Sequence, residues 1–273
     1  MSHDSESLGI IAGSRSLPLT LARLARASGV PRLVAVGFEG ETDPALATLV
    51  DDMVWLRVGQ LVKMIDAFRQ RGVQRCVMAG QIAPKNLFDL RPDLRALTLL
   101  LKLKERNART IFAAIARELE KEGIQLVEAT PWLQPIMPGP GYSVGPKLSA
   151  DQAEDVTFGK RIADQVSSLE IGQTVVVKKG TVLAVEAFEG TDACLRRGGE
   201  LAGREGGAVA VKVASPHHDF RFDIPCLGPK TLEICSEVKM AVLAFQSGKT
   251  LLLDREQVEQ LAVRHRISLV SVG

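Results

Sequence analysis

The strongest constraint on the fold is a unit near the start of the chain: an apolar run, a glycine turn, a stretch with helical spacing, and a second apolar run. Leu8-Gly-Ile-Ile-Ala12 stops at Gly13-Ser14. Leu17, Leu21, Leu24 and Ala25 then recur at helical spacing. Ser16 stands where an N-cap belongs, and Pro18 falls in the first turn, where its missing N–H has no helical partner to lose. Gly29 closes the helix, and residues 33–38 return to an apolar run. Two strands joined through a helix run parallel, because a tight hairpin cannot join parallel strands.

The alternation continues. Residues 52–58, 75–79 and 124–128 read as strands; residues 60–71, 95–104 and 110–122 read as helices, the first with Leu61, Ile65 and Phe68 on one face and closed by Gly72. Such alternation specifies an open, mainly parallel, Rossmann-like α/β sheet with ligands beyond the carboxyl ends of its strands. Gly13-Ser14 and Gly80-Gln81 both fall at such ends.

Between Thr130 and Pro146 five prolines and three glycines punctuate the chain, the composition of a linker. Beyond it, Ser149 or Asp151 starts a helix to about Ser168, with Val156, Ile162, Ala163 and Val166 inward. Residues 174–177 and 181–186 flank Lys178-Lys-Gly180, a hairpin signal. Residues 240–245 and 250–253 flank Ser247-Gly248-Lys249 in the same way, and Asp254 with Gln257 has capping-box spacing. The reading is therefore an N-terminal α/β domain over residues 1–130, a linker over 131–150, and a C-terminal α+β domain of different fold over 151–273.

Composition enters as a filter. Net charge is +2 and aromatic residues are 4%, neither of which suits a nucleic-acid binder. Cys76, Cys194, Cys226 and Cys235 form no C-x-x-C pair and read as reduced, buried thiols of a cytoplasmic protein. A zinc site from His217, His218 and Cys226 is the sharper alternative. No apolar run is long enough to span a membrane, and the first seven residues are polar and acidic. The leucine-rich stretch 94–104 reads as a core helix, or else as a wall for a lipid chain or a contact with a membrane surface.

The candidate chemistry concentrates between Glu186 and Asp223. Glu186, Glu189 and Asp192 lie within seven residues, a density of carboxylates that suits a hard divalent cation. Gly190-Thr191 precedes a helix start, which favours anions. Lys212 closes an apolar strand. In Asp219-Phe-Arg221-Phe-Asp223 an extended chain would put Asp219, Arg221 and Asp223 on one face, with the arginine for phosphate and the aspartates for metal or water. The surface-ladder reading of the same residues needs no ligand. Gly13-Ser14-Arg15-Ser16 also precedes a helix and suits a phosphate, although neither G-x-G-x-x-G nor a Walker pattern is present.

These pieces together resemble the LpxI-type UDP-2,3-diacylglucosamine pyrophosphatases of Gram-negative lipid A synthesis. The matching segments are Ile10-Ile-Ala-Gly-Ser-Arg-Ser-Leu-Pro18, Ala79-Gly-Gln-Ile82 with Pro84-Lys85, residues 180–192, Val211-Lys-Val213, and Asp219-Phe-Arg-Phe-Asp-Ile-Pro225 with Gly228 and Thr231. The resemblance implies hydrolysis of the pyrophosphate of an acylated UDP-sugar to UMP and 2,3-diacylglucosamine 1-phosphate. It also implies Mg2+ or Mn2+, and a site between two domains of unlike fold. Asp223 would be the essential carboxylate. With it, Asp219 and Arg221 are the catalytic candidates, and Asp192, Asp219 and Asp223 the metal candidates. Gly13, Ser14, Gly80, Gln81, Glu186, Glu189, Gly190, Thr191 and Lys212 would hold substrate. His217-His218 departs from the family pattern.

The expected setting is cytoplasmic, with peripheral contact at the inner membrane surface and a homodimer among the compatible arrangements. Two other classes compete: a non-catalytic sugar-nucleotide sensor, and a nicotinamide-dependent oxidoreductase using Glu39 or Glu41 near the second strand's end. The latter lacks its glycine fingerprint.

Overall fold

A computed structural model describes residues 7–82, 92–105, 108–216 and 218–273. The chain forms two compact units. The first runs to Leu133 and includes Asp219–Asp223; the second takes Gln134–His218 and Ile224–Gly273.

In the first unit, β1 (Ser7–Ala12), α1 (Leu17–Ala27) and β2 (Arg32–Phe38) form the expected crossover, followed by β3 (Asp52–Leu56), α2 (Leu61–Gln70), β4 (Arg75–Ala79), α3 (Leu94–Lys102), α4 (Ala108–Glu120) and β5 (Gln125–Leu126). The sheet order is β3-β2-β1-β4-β5, all parallel. Every residue of β1 is buried, as a central strand covered on both faces must be. The chain winds outward from β1 to β2 and β3, then returns to β4 and β5. The boundary between β1 and β4 is therefore the topological switch point, where open α/β sheets have their crevice.

Residues 131–150, read as a linker, carry structure of their own. Thr130–Leu133 makes one helical turn, and β6 (Ser143–Val144) pairs antiparallel with β13 (Ser268–Val272). Tyr142 locks this stretch down: its N–H donates to Ser271 Oγ at 3.0 Å and its hydroxyl to Glu259 at 2.8 Å.

The second unit continues with α5 (Ala150–Ser168), β7 (Thr174–Lys178), β8 (Thr181–Val185), α6 (Thr191–Leu201), β9 (Val209–Lys212), β10 (Cys226–Leu227), α7 (Pro229–Glu237), β11 (Val242–Gln246), β12 (Leu251–Leu252), α8 (Arg255–Arg264) and β13. Its six-stranded sheet runs β6-β13-β11-β9-β7-β8: three parallel strands flanked by antiparallel partners. Alternation along the strands builds two cores. Val175, Val177, Val209, Val211, Val242 and Ala244 face one way, with Val156 and Ala163 of α5. Val176, Ala210, Leu243 and Phe245 face the other, with Leu195, Leu232 and Val258 of α6, α7 and α8. The chain is thus α/β with an open parallel sheet and a separate mixed sheet.

Three local expectations are corrected. The hairpin over 240–253 does not form: β12 pairs parallel with β10 instead, Leu251 N–H donating to Pro225 and Leu253 N–H to Leu227. Asp254 makes no side-chain cap and sits at φ 50, a left-handed entry that an extended N-cap does not have. Residues 219–223 are not extended. The N–H groups of Phe222 and Asp223 donate to Asp219 O at 3.1 and 3.0 Å, closing a helical turn. By contrast, Ser149 caps α5 with the reciprocal Gln152 bond of a capping box.

Candidate functional site

At the switch point, two backbones come together. Gly13 N–H donates to Ala79 O at 2.7 Å and Ser14 N–H to Gln81 O at 2.8 Å, while Ser14 Oγ also donates to Gln81 O at 2.5 Å. A Cβ on Gly80 would lie 2.5 Å from Ser14 O, and Gly80 sits at φ +87; a Cβ on Gly13 would lie 2.8 Å from Gln81 O. Only glycines allow this approach. Thr42, 5% exposed, completes the edge by donating to Ala12 O at 2.5 Å while accepting from Phe38 N–H at 2.8 Å. Sequence reasoning brought Gly13, Ser14, Gly80 and Gln81 to one place, and they meet there. Their expected use differs: the Gly13 and Ser14 amides are spent on β4 and its turn, so they are not the phosphate donors. Gly80 and Gln81 are exposed at the rim.

The turn Asp219–Asp223 belongs to this same unit because Phe222 packs into its core cluster, its ring 5.7 Å from that of Phe112 on α4. Arg221 folds back on Asp219, with Nε to Oδ1 at 2.9 Å and Nη2 to Oδ2 at 2.7 Å. That forked bond holds the Asp219 carboxyl below its usual range and pushes Arg221 up. Arg221, expected to meet a phosphate, is committed to Asp219 instead. Asp223 is exposed.

In the second unit, a chain of side chains runs from the carboxyl end of β9. Lys212, 9% exposed, donates to Thr191 Oγ1 at 2.8 Å, and Thr191 donates to Glu186 Oε1 at 2.9 Å. Glu186 also accepts from Gln173 N–H at 3.3 Å. Gly190, at φ 82, is the N-cap of α6, so the cationic group stands at a helix start, where unpaired N–H groups and the dipole favour anions. The Gly190 N–H itself donates to Ala187 O at 3.3 Å and is not the expected phosphate donor. Glu189 accepts from Ala187 N–H at 3.1 Å and Arg197 at 2.7 Å. Its own backbone N–H and then Arg197 hold its carboxyl below the usual range. Asp192 pairs with Lys230 at 2.9 Å.

Of the three metal candidates, Asp192 lies in the second unit and faces Lys230, while Asp219 and Asp223 lie in the first, where Asp219 faces Arg221. Among the described residues, no group of three His, Cys, Asp or Glu side chains is placed to hold a metal ion. His217, one of the alternative zinc residues, lies outside the described residues, as do Pro84 and Lys85. His218 Nδ1 accepts from Ser215 N–H at 2.9 Å and its Nε2 lies 3.2 Å from the Gln173 side chain.

Four partners went unnoticed from sequence: Thr42, Gln173, Arg197 and Lys230. Arg197 had only a weak signal: it lies on a helix that was itself legible, but eight residues after Glu189, which precedes that helix, outside the three- and four-residue spacing that pairs side chains on one face. Lys230 had none, because 38 residues separate it from Asp192.

Two family models match the chain: the LpxI N-terminal domain over residues 7–136 and the LpxI C-terminal domain over 139–270. The UDP-2,3-diacylglucosamine pyrophosphatase LpxI of Caulobacter vibrioides is 32% identical over 263 residues, covering 92% of each chain. Among solved structures, the biotin carboxylase domain of a thermophilic 2-oxoglutarate carboxylase, bound to ADP, is 12% identical at a TM-score of 0.28 and covers 72% of this chain. A phosphoribosylglycinamide synthetase from Anaerococcus prevotii is 10% identical at 0.26 and covers 67%. This chain spans 32% and 39% of those two proteins, and neither likeness carries an argument.

Proposed function

The chain belongs to the LpxI family, and on that premise we propose that it is a UDP-2,3-diacylglucosamine pyrophosphatase of lipid A synthesis, acting in the cytoplasm. Water adds to one phosphorus of the pyrophosphate and the bridging P–O bond breaks. The products are UMP and 2,3-diacylglucosamine 1-phosphate.

The observation that carries the reading is the Lys212–Thr191–Glu186 chain at the start of α6. A nearly buried ammonium beside a helix N-terminus is a pre-paid anion site: Thr191 and Glu186 hold it in place, and its remaining N–H bonds are available for a phosphate oxygen. Thr191 accepts from Lys212 and donates to Glu186, which fixes the lysine's direction. Asp223 we assign to orienting the attacking water. Arg221 is a positioning residue, shaping the turn through Asp219. Gly13 and Gly80 keep the floor of the switch-point crevice low, and Ser14 and Gln81 shape the rim against which the nucleotide or sugar rests.

The reading includes Mg2+ or Mn2+. Magnesium is commonly held by one or two carboxylates together with substrate phosphates, so a preformed cage of three is not required. Asp223 is the residue we assign to it. When bound, the cation neutralises charge on the phosphoryl oxygens.

The test is incubation with UDP-2,3-diacylglucosamine in Mg2+ or Mn2+, with and without EDTA, followed by separation of UMP. We expect UMP with the cation and none after chelation, and a loss of about 100-fold or more in Asp223→Ala. No UMP under any cation overturns the reading. Undiminished turnover in Asp223→Ala overturns that residue's assignment.

A further inference from the structure

The helix α3 is apolar on two faces: Ala96 and Leu99 pack into the core cluster of the first unit, and a second set of leucines faces outward. Leu94 is 83% exposed, Leu97 42% and Leu101 66%, while Ala96 is its buried residue. An amphipathic helix of a water-facing surface presents its apolar stripe inward. Polar bonds hold α3 in this orientation. Asp93 accepts from Ala96 N–H at 2.9 Å and Val62 N–H at 2.7 Å. Arg95 donates to Glu118 at 2.7 Å and Glu122 at 2.9 Å of the α4 region. Val62 on α2, 38% exposed, adjoins Asp93 through that bond and extends the apolar face.

Among the described residues, the exposed charges next to this face in sequence are mostly positive. Lys63, Lys102 and Lys104 are exposed; Glu105 follows them, leaving the balance positive. Leucines flanked by lysines match the chemistry of an interface in which acyl chains lie under anionic headgroups. Among the described residues no helix is long and apolar enough to cross a membrane, so contact of this kind would be lateral. We propose that the outward face of α3, with Val62 and Lys63, docks the chain on an anionic phospholipid surface. The proposal rests on the functional reading above in one respect: a diacylated sugar resides in such a surface, so docking brings the enzyme to its substrate. Leu94, Leu97 and Leu101 enter the headgroup boundary, and the lysines meet the phosphates.

The test is flotation with vesicles made of equal parts phosphatidylglycerol and phosphatidylcholine, beside vesicles of phosphatidylcholine alone, at low and high salt and without substrate. The wild-type chain floats with the anionic vesicles and loses roughly tenfold in partition on neutral ones or in high salt. Leu94→Ser/Leu97→Ser/Leu101→Ser loses roughly tenfold or more on anionic vesicles, and Lys63→Glu/Lys102→Glu/Lys104→Glu loses the salt-dependent part. Both variants release UMP from detergent-dispersed substrate at the wild-type rate. Wild-type chain that does not float, or a leucine variant that floats equally, overturns the proposal. So does light scattering that shows a wild-type dimer split by the leucine variant, since the face would then be a contact between copies. Flotation is read without turnover, so absence of UMP would sink the pyrophosphatase reading and leave the docking result standing.

Discussion

At the carboxyl edge of the first sheet, Gly13 and Gly80 bring two backbones together with no charged side chain between them. At the carboxyl end of β9, Lys212, Thr191 and Glu186 hold one another through side chains. The first corner gets its shape from what is missing, a Cβ, and tolerates no added atom. The second gets its shape from a charge that would be costly if left unpaired. A backbone corner is rigid and reads anything that fits its surface. A side-chain corner can bind charge but fails if one link is removed.

That contrast can be broken in descending order of effect. Gly80→Ala adds a Cβ 2.5 Å from Ser14 O at φ +87; with left-handed strain and overlap together, stability falls by about 3 kcal/mol or more. Gly190→Ala meets nothing within 4 Å but must hold φ 82, ψ 170, a region essentially confined to glycine, and costs about 1–3 kcal/mol from the backbone alone. Urea unfolding of the pair measures the difference, and equal losses would remove the distinction between a crowded turn and an open one.

Next is Lys212→Met, which strands Thr191 and Glu186. Stability falls by about 2 kcal/mol and turnover by about 100-fold. Lys212→Met/Glu186→Gln recovers stability but not turnover, which a thermodynamic cycle read beside UMP release will show. Recovery of both would mean that the chain is only structural.

A smaller effect belongs to the turn at 219–223. Phe112→Ala and Phe222→Ala couple by about 1 kcal/mol in a double-mutant cycle, because the rings touch at 5.7 Å. Strict additivity would detach this turn from the first unit.

The smallest concerns acid. Arg95 and Lys121 hold Glu118 below its ordinary 4.5, Lys121 contributing most, and Arg95 leads in lowering Glu122. A carboxyl lowered in the fold contributes stability above its unfolded value and loses it as pH falls through the folded one. Arg95→Met is therefore less stable than the wild type at pH 7, and the gap closes well below 4.5. Urea midpoints across that range follow it, and a gap independent of pH would point to lost packing alone.

The first sheet was legible because its information is local: apolar runs, helical spacing and glycine stops lie next to one another, and the switch-point pair could be placed from strand ends alone. The Ser149–Gln152 capping box was legible for the same reason. The Asp254–Gln257 spacing looked identical and failed, because the approach from β12 puts Asp254 at φ 50. The pairing of Cys226–Leu227 with Leu251–Leu252 is not written in either segment, so a hairpin seemed the better account. In Asp219-Phe-Arg-Phe-Asp223 the alternation mimicked a strand, yet backbone bonds to Asp219 O close a turn, with the Arg221–Asp219 ion pair across it. The acidic cluster was legible as a density of carboxylates, but its partners were not: Arg197 pairs with Glu189 and Lys230 with Asp192.

The turn at 219–223 also has a consequence for synthesis. The chain completes the parallel sheet early, then builds α5 to β9 of the other unit, and only afterwards delivers the five residues that seat Phe222 against Phe112. Domains usually fold in the order in which they leave the ribosome. Here the last five residues of the earlier unit are made about ninety residues after its fifth strand, so a gene fragment that ends at Leu133 lacks the turn that seats Phe222, whereas one from Gln134 onward carries the whole of the second unit.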